Sequence, residues 1–384
     1  MKNWLGYRKS GEYRFIEKRN GIPAHTTFIP NSMSEVIDIE VDTELANLMS
    51  MANGLLGQLE GMSAFLPNAA AIESIFIYKE SLFSCMIDGI DASLYSILDF
   101  SGKDYTKTRV IQDCFSTMKY GLDKAAISQY KNSLLCEMHK ELVSQDRDAN
   151  CGCFRKKQIF LSRAVTNSEQ YNPTAPNDIP AAMRDLEKFI QRNDNFDATI
   201  KAALAHYQIE TIHPFMTGNG RIGRILTYLI LSGMQILTRP ILCLSQYLYY
   251  NRVDYIDRME RLRQIYDYEQ WIKFFIKSVI FAASDSLERI KKWLAIRETN
   301  FNKVQGCGKR IKAIEKTFDI IELYPIIDVN LLSEKAAISY NTAATTLKLL
   351  CDLQIVKKSN HLERNRDYAN IDFLNCFTSD VRQY

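Results

Sequence analysis

Apolar residues recur at three- and four-residue intervals through most of the chain before position 300, and this helical period leaves little room for a sheet-based fold. It runs from 35 to about 100 with few Pro or Gly breaks after Pro67, and continues through 112–143, 179–191, 197–209, 221–234 and 268–297. A mainly α protein is expected. Ahead of it, residues 11–30 read as a short extended arm packed on the helices. Residues 151–180 interrupt the period with Gly152, a β-like run Gln158-Ile159-Phe160-Leu161, and Pro173, Pro176 and Pro180. This segment reads as a short β-hairpin and loop, a flap of the kind that carries binding sites on helical scaffolds.

The pattern changes after a long charged helix that ends near Lys303 and runs into Gln305-Gly306-Cys307-Gly308, a domain boundary. From 309 to the end the expected order is a helix (311–323), a turn at Pro325, a short helix from Asn330, a turn at Ile338-Ser339-Tyr340, a third helix (341–353), and strands at 355–358 and 366–369. That order resembles a winged helix-turn-helix. Its third helix offers only Lys348 to reach a phosphate, although Lys357, Lys358, Arg364 and Arg366 make the wing basic. DNA binding and a protein-contact or packing role are both open, the second favoured. Net charge is +3 over 384 residues, too small a bias for polyanion binding through bulk charge. Nine scattered cysteines read as buried thiols, with Cys151 and Cys153 a reduced loop pair lacking the further ligands of a zinc site. No apolar run is long enough to span a bilayer, and charges follow the N-terminal Met1-Lys2-Asn3-Trp4-Leu5-Gly6 where a signal peptide would be apolar. A soluble, cytoplasmic protein is expected.

The chemistry concentrates in His213-Pro214-Phe215-Met216-Thr217-Gly218-Asn219-Gly220-Arg221-Ile222-Gly223-Arg224, between two helices. Gly218, Asn219 and Gly220 can turn successive backbone N–H groups into one concave, side-chain-poor surface at a helix N-terminus, a setting that attracts phosphate. Arg221 and Arg224 are three residues apart, so both guanidinium groups can serve one phosphate chain. His213 stands just ahead of the turn, where an imidazole can take a proton from an attacking hydroxyl.

The full pattern HPF-x-x-GNGR-x-x-R resembles the defining motif of the Fic (Fido) family. The resemblance extends to residues 203–212, 240–245 and 271–275, to the flap from Gly152, and to the winged-helix tail, so it covers nearly the whole chain. It implies a Fic helical core with a short β-hairpin flap, followed by the winged helix-turn-helix. The implied divisions are 1–127 for the arm and N-terminal helices, 128–278 for the core, 279–308 for a connecting helix and linker, and 309–384 for the tail. It further implies a protein adenylyltransferase that moves AMP from ATP, with Mg2+, onto a Tyr, Thr or Ser hydroxyl of a target protein or of itself, with a homodimer as an open assembly. His213 is then the general base, while Thr217, Gly218, Asn219, Gly220, Arg221 and Arg224 bind the nucleotide. Ile159, Phe160, Leu161 and Ser162 cover the nucleotide and pair with the target in strand fashion, and Asn251 and Tyr255 fall near the base pocket.

Two departures stand out. Thr217 occupies the place where the family carries an Asp or Glu for Mg2+, so any metal ligation from it comes without charge. The family's inhibitory helix, [Ser/Thr]-x-x-x-Glu-[Gly/Asn], is matched by Ser84, Asp88 and Gly89, with Asp one methylene shorter than Glu. Asp88-Gly89 also reads as a plain helix C-terminus. Two rivals to adenylyl transfer therefore stay open: a catalytically weak nucleotide-binding regulator acting through the winged helix, and transfer of another phosphate-bearing group.

Overall fold

A computed structural model describes residues 10–18, 23–33, 41–98, 105–125, 130–144, 150–161, 172–193, 196–305, 311–358 and 368–378. The chain opens with two strands, β1 (Gly11–Ile16) and β2 (His25–Pro30), paired antiparallel from Gly11 opposite Pro30 to Ile16 opposite His25. The arm is therefore a β-hairpin. The continuous period expected from 35 to 100 divides into α1 (Thr43–Ser63), α2 (Ala69–Ile87) and α3 (Leu94–Leu98), and that of 112–143 into α4 (Tyr105–Lys124) and α5 (Asn132–Leu142). Then come α6 (Ile179–Gln191), α7 (Ala198–Ile212), α8 (Asn219–Gly233), α9 (Leu244–Tyr250), α10 (Arg252–Ile265) and α11 (Tyr268–Gln305). The helices α9 and α10 were not apparent in the sequence. Only Tyr255, Met259, Leu262 and Arg263 of α10 are buried, too sparse a stripe to stand out among its charges.

Two helices are buried on nearly every side and set the architecture. α7 has Ala202, Ala203 and Ala205 at its middle, where small side chains let α8, α11 and α6 close around it. Asp197 caps its start by accepting the Thr199 N–H at 2.8 Å, and the Trp271 indole of α11 donates to the Ala203 carbonyl at 2.9 Å. α2 is buried from Ala71 to Ile87 and carries two charged residues inward. Lys79 pairs with Asp285 at 2.9 Å, and the Glu80 carboxylate receives both the backbone N–H and the hydroxyl of Ser245. Charges this deep persist because each is paired or hydrogen-bonded.

The C-terminal module follows the expected order and adds to it. It comprises α12 (Ile311–Leu323), β3 (Ile326–Ile327), α13 (Val329–Ala336), α14 (Tyr340–Asp352), β4 (Lys357–Lys358), β5 (Tyr368–Ala369) and α15 (Ile371–Thr378). The strands form an antiparallel sheet in the order β3-β5-β4. A second apolar core, built on Phe318, Ile321, Leu332, Leu347 and Leu350, sits beneath it. Asp328 and Ser339 cap α13 and α14 as the turns require. α15 returns to the first core, where Phe377 meets Phe76 of α2 edge-on at 5.6 Å. Glu322 of α12 accepts hydrogen bonds from Trp293, Arg297 and Asn68, fastening the module to α11 and to the start of α2. Arg364 and Arg366, and the boundary at Gly306, Cys307 and Gly308, lie outside the described residues.

Most of the expected flap hairpin, residues 162–171, lies outside the described residues. Residues 158–160 carry no strand and Leu161 enters a single bridge, while Ser162 lies outside the described residues. The described end of the returning limb bonds to β2: Phe28 N–H donates to the Asn172 carbonyl at 3.0 Å and the Thr174 hydroxyl to the Phe28 carbonyl at 3.1 Å. Gln158 Nε2 donates to the Pro173 carbonyl at 3.1 Å, a side-chain link between the two described ends of the flap. Among the described residues no helix is long and apolar enough to cross a membrane.

Candidate functional site

α7 stops at His213, whose backbone is left-handed (φ 53°) and whose N–H still reaches the Ile209 carbonyl at 2.9 Å. Pro214 has no N–H with which to continue a helix. The loop is locked by Asn219, which accepts the Phe215 N–H at 2.8 Å through Oδ1 and donates to the Phe215 carbonyl at 2.9 Å through Nδ2. The Asn219 side chain is thus turned inward, which leaves its backbone N–H as the group it offers to the turn. Gly218 (φ 75°) is the N-cap of α8, a conformation that a residue with a Cβ adopts with strain. The N–H groups of Gly218, Asn219, Gly220 and Arg221 meet no acceptor among the described residues. Four converging donors at a helix start make an anion-binding concavity.

His213 sits beside these donors. Its Nδ1 lies 3.4 Å from the Glu210 carbonyl, which can only accept, so Nδ1 carries the proton and Nε2 is left with a free lone pair. Burial draws its pKa down to about 4, with the Glu210 carbonyl opposing and Arg155 reinforcing the shift. The imidazole is therefore neutral at pH 7. The Glu210 carboxyl, one turn earlier, is raised to about 7 by burial, against the pull of Arg224, and its Oε1 is buried with no hydrogen-bond partner among the described residues.

Both arginines of α8 lie beside the glycine turn, Arg224 Nη1 2.8 Å from where a Cβ on Gly220 would stand, and both are engaged by α2. Arg224, 4% exposed, donates through Nε to the Ser84 hydroxyl (2.7 Å) and through Nη2 to the Ser84 carbonyl (2.8 Å) and Asp88 Oδ1 (2.9 Å). Arg221 Nε reaches Asp88 Oδ2 at 3.2 Å. Asp88 is also the C-cap of α2, followed by Gly89 in the left-handed region (φ 88°), and the Ile90 N–H bonds back to Cys85. The helix-end and ion-pair readings thus describe the same residue. A carboxylate at a helix C-terminus opposes the helix dipole, and two guanidinium groups offset that cost.

Other expected residues are more scattered. Phe160 is exposed at the flap and meets His25 of β2 edge-on at 5.1 Å, with Ile159 and Leu161 beside it in the chain. Asn251 closes the end of α9 by donating to the Tyr247 carbonyl at 2.9 Å. Tyr255 is buried beneath the site, its hydroxyl 2.8 Å from His206 Nε2. The structure adds residues the sequence did not single out. Arg155, 1% exposed, donates to the carbonyls of His213 (2.8 Å), Lys157 (3.1 Å) and Thr174, tying the flap to the motif loop. His206 bonds the Gly223 carbonyl at 3.0 Å; it lies seven residues before His213, two turns along one face of α7, and that spacing was the available clue. Thr217 meets the protein through its carbonyl, 3.1 Å from His139 Nε2.

Thr217 supplies a neutral hydroxyl, and among the described residues no three His, Cys, Asp or Glu side chains converge as metal ligands. The residues present do not form a protein-held Mg2+ site.

Comparison with known proteins accords with this geometry. The profile of the Fic/DOC family matches residues 129–231. The chain is 29% identical over 119 residues to protein adenylyltransferase fic-1 of Caenorhabditis elegans, covering 29% of this chain and 22% of that one. It is 27% identical over 155 residues to protein adenylyltransferase Fic of Drosophila grimshawi, covering 39% and 30%. The matched part thus spans less than a third of these curated relatives. Among solved structures, a Fic family protein from Desulfovibrio desulfuricans G20 superposes with a TM-score of 0.57 at 15% identity, over 86% of this chain and 97% of that one. A Fic domain containing signaling protein from Bacteroides thetaiotaomicron VPI-5482 gives 0.53 at 16% identity, over 64% and 97%. At such identities these two show a shared fold.

Proposed function

We propose that this chain, which carries a Fic/DOC family domain, is a protein adenylyltransferase that moves AMP from ATP to a Tyr, Thr or Ser hydroxyl of a target protein or of itself, and that Asp88 holds it in check. The observation that carries this reading is the free Nε2 of a neutral His213 beside four unsatisfied backbone N–H groups. In the reaction Nε2 accepts the hydroxyl proton as the oxygen attacks the α-phosphorus, the bond to the β-phosphate oxygen breaks, and pyrophosphate leaves. The N–H groups of Gly218 to Arg221 stabilise charge on the phosphates, which fixed dipoles do without reorganising. Arg221 and Arg224 belong to the same phosphate grip but are engaged by Asp88 and Ser84, so the resting protein has low activity.

A second reading, a nucleotide-binding regulator that scarcely turns over, is favoured by one observation, the neutral Thr217 at the family's acidic position. Incubation with α-labelled ATP, followed by intact-mass measurement, separates the two. A gain of one AMP on the protein or an added target supports transfer. Binding of ATP without any covalent gain, in wild type and in Asp88→Gly alike, refutes it.

A further inference from the structure

His139 lies on α5, 0% exposed, outside the twelve-residue motif in the chain but packed against it. Its ring stacks flat on Phe215, centroids 4.0 Å apart and planes at 6°. Its two nitrogens have fixed and different roles. Nδ1 lies 3.0 Å from the Gly152 N–H, which can only donate, so Nδ1 is unprotonated. The proton is on Nε2, which donates to the Thr217 carbonyl at 3.1 Å. Both partners are backbone groups, so chain geometry alone fixes the tautomer.

The consequence lies one bond further on. A trans peptide is planar, and the carbonyl of Thr217 and the N–H of Gly218 point in opposite directions from the same plane. Holding the carbonyl toward α5 therefore aims the Gly218 N–H away from α5, and this N–H, like those of Asn219, Gly220 and Arg221, meets no acceptor among the described residues. Gly218 is left-handed (φ 75°) and, without a Cβ, has wide torsional freedom, so a bond that fixes the preceding peptide sets where its N–H points. A donor on the carbonyl also polarises the peptide and strengthens its N–H.

We infer that His139 is a positioning residue that orients the Thr217–Gly218 peptide, so that the Gly218 N–H becomes the first donor of the phosphate-binding turn. The chain of contacts runs from the Gly152 N–H through the neutral imidazole and the Thr217 carbonyl to the Gly218 N–H and the anion. This rests on the phosphate-binding part of the proposed function and is independent of whether AMP is transferred.

The test uses the full chain and measures equilibrium binding of ATP and of inorganic pyrophosphate. His139→Phe keeps the ring stacked on Phe215 and removes both hydrogen bonds. His139→Gln returns a donor at the length of Nε2, and His139→Asn carries its amide too short to reach Thr217. Phe should weaken both ligands about tenfold, as expected for one misaimed hydrogen bond to a charged group. Gln should recover most of that affinity and Asn should not, whatever the melting temperatures of the variants. A His139→Phe protein, folded by circular dichroism, that binds both ligands like wild type overturns the inference. Should Phe fail to fold, Asn binding as tightly as Gln overturns it. Tight binding with the Gln-over-Asn order but no covalent AMP in any variant would refute the transfer reading and support this one.

Discussion

Removing the Asp88 carboxylate should release Arg224 and speed transfer. Asp88 Oδ1 is 2.9 Å from Arg224 Nη2 and Oδ2 is 3.2 Å from Arg221 Nε, with the Asp88 side chain 29% exposed and that of Arg224 4%. A hydrogen bond to a charged group contributes about 1.5–3 kcal/mol when shielded, and partial exposure screens some of this, which leaves a hold of about 2 kcal/mol on Arg224. At about 1.4 kcal/mol per decade, that biases Arg224 roughly thirtyfold against phosphate. The Ser84 hydroxyl and carbonyl keep two bonds to Arg224 after the substitution, so the gain should stay near or below that value. The assay is the initial rate of self-labelling by α-labelled ATP, or labelling of an added target. Asp88→Gly should label about 10- to 30-fold faster than wild type, and Arg224→Ala should lose activity whatever stands at 88. Asp88→Glu should inhibit at least as strongly as wild type. An Asp88→Gly protein with an intact circular dichroism spectrum that labels no faster than wild type would show that this helix end does not gate the site.

Three further outcomes follow from the same geometry. His213→Ala should abolish labelling, by about 10²-fold or more, while ATP binding measured by calorimetry stays near wild type, since the phosphates are gripped elsewhere. Thr217→Asp should raise both Mg2+ affinity and Mg2+-dependent labelling, and a variant with both unchanged or lower would count against a metal-assisted ATP reaction in this chain. On acidification, His139, His206 and His213 should destabilise the fold together, because burial lowers each to about 4 from an unfolded value near 6.5. The unfolded chain then binds more protons between those limits, so stability should fall as pH drops from about 6.5 to 4, with Glu210, raised to about 7, working in the opposite sense; a urea midpoint that rises over that interval would contradict this.

The helices were legible because burial on one or more faces leaves a period, and α6 matches its expected limits of 179–191. Turn chemistry was legible too: Gly89 and Gly218 stand where the chain needs a left-handed backbone. What escaped was short, sparse or paired at a distance. β3 has two residues and cannot show an alternation, and α10 buries too few residues to stand out. The arm became a hairpin because Gly11 to Ile16 found a partner in His25 to Pro30.

The site divides in the same way. Its donors are contiguous from His213 to Arg224, so the motif exposed them, but the groups that aim those donors lie far off in the chain. Asp88 reaches Arg224 across 136 positions, Arg155 reaches His213 across 58, and His139 reaches Thr217 across 78. The shorter Asp arm illustrates the difference: one methylene decides an ion pair only once the spacing of α2 and α8 is known. In this fold the guanidinium of Arg224 comes to the helix end and bonds Ser84 as well, so Asp spans the remaining gap. α2 is itself fixed along its length, by Asn68 to Glu322 at its start, Phe76 to Phe377, and Lys79 to Asp285. Asp88 is thus held at the end of a helix with little freedom to retreat, and its carboxylate competes for Arg224 from a fixed position. On the proposed function, a nucleotide would have to displace that carboxylate from Arg224, since the helix bearing it is pinned to both cores.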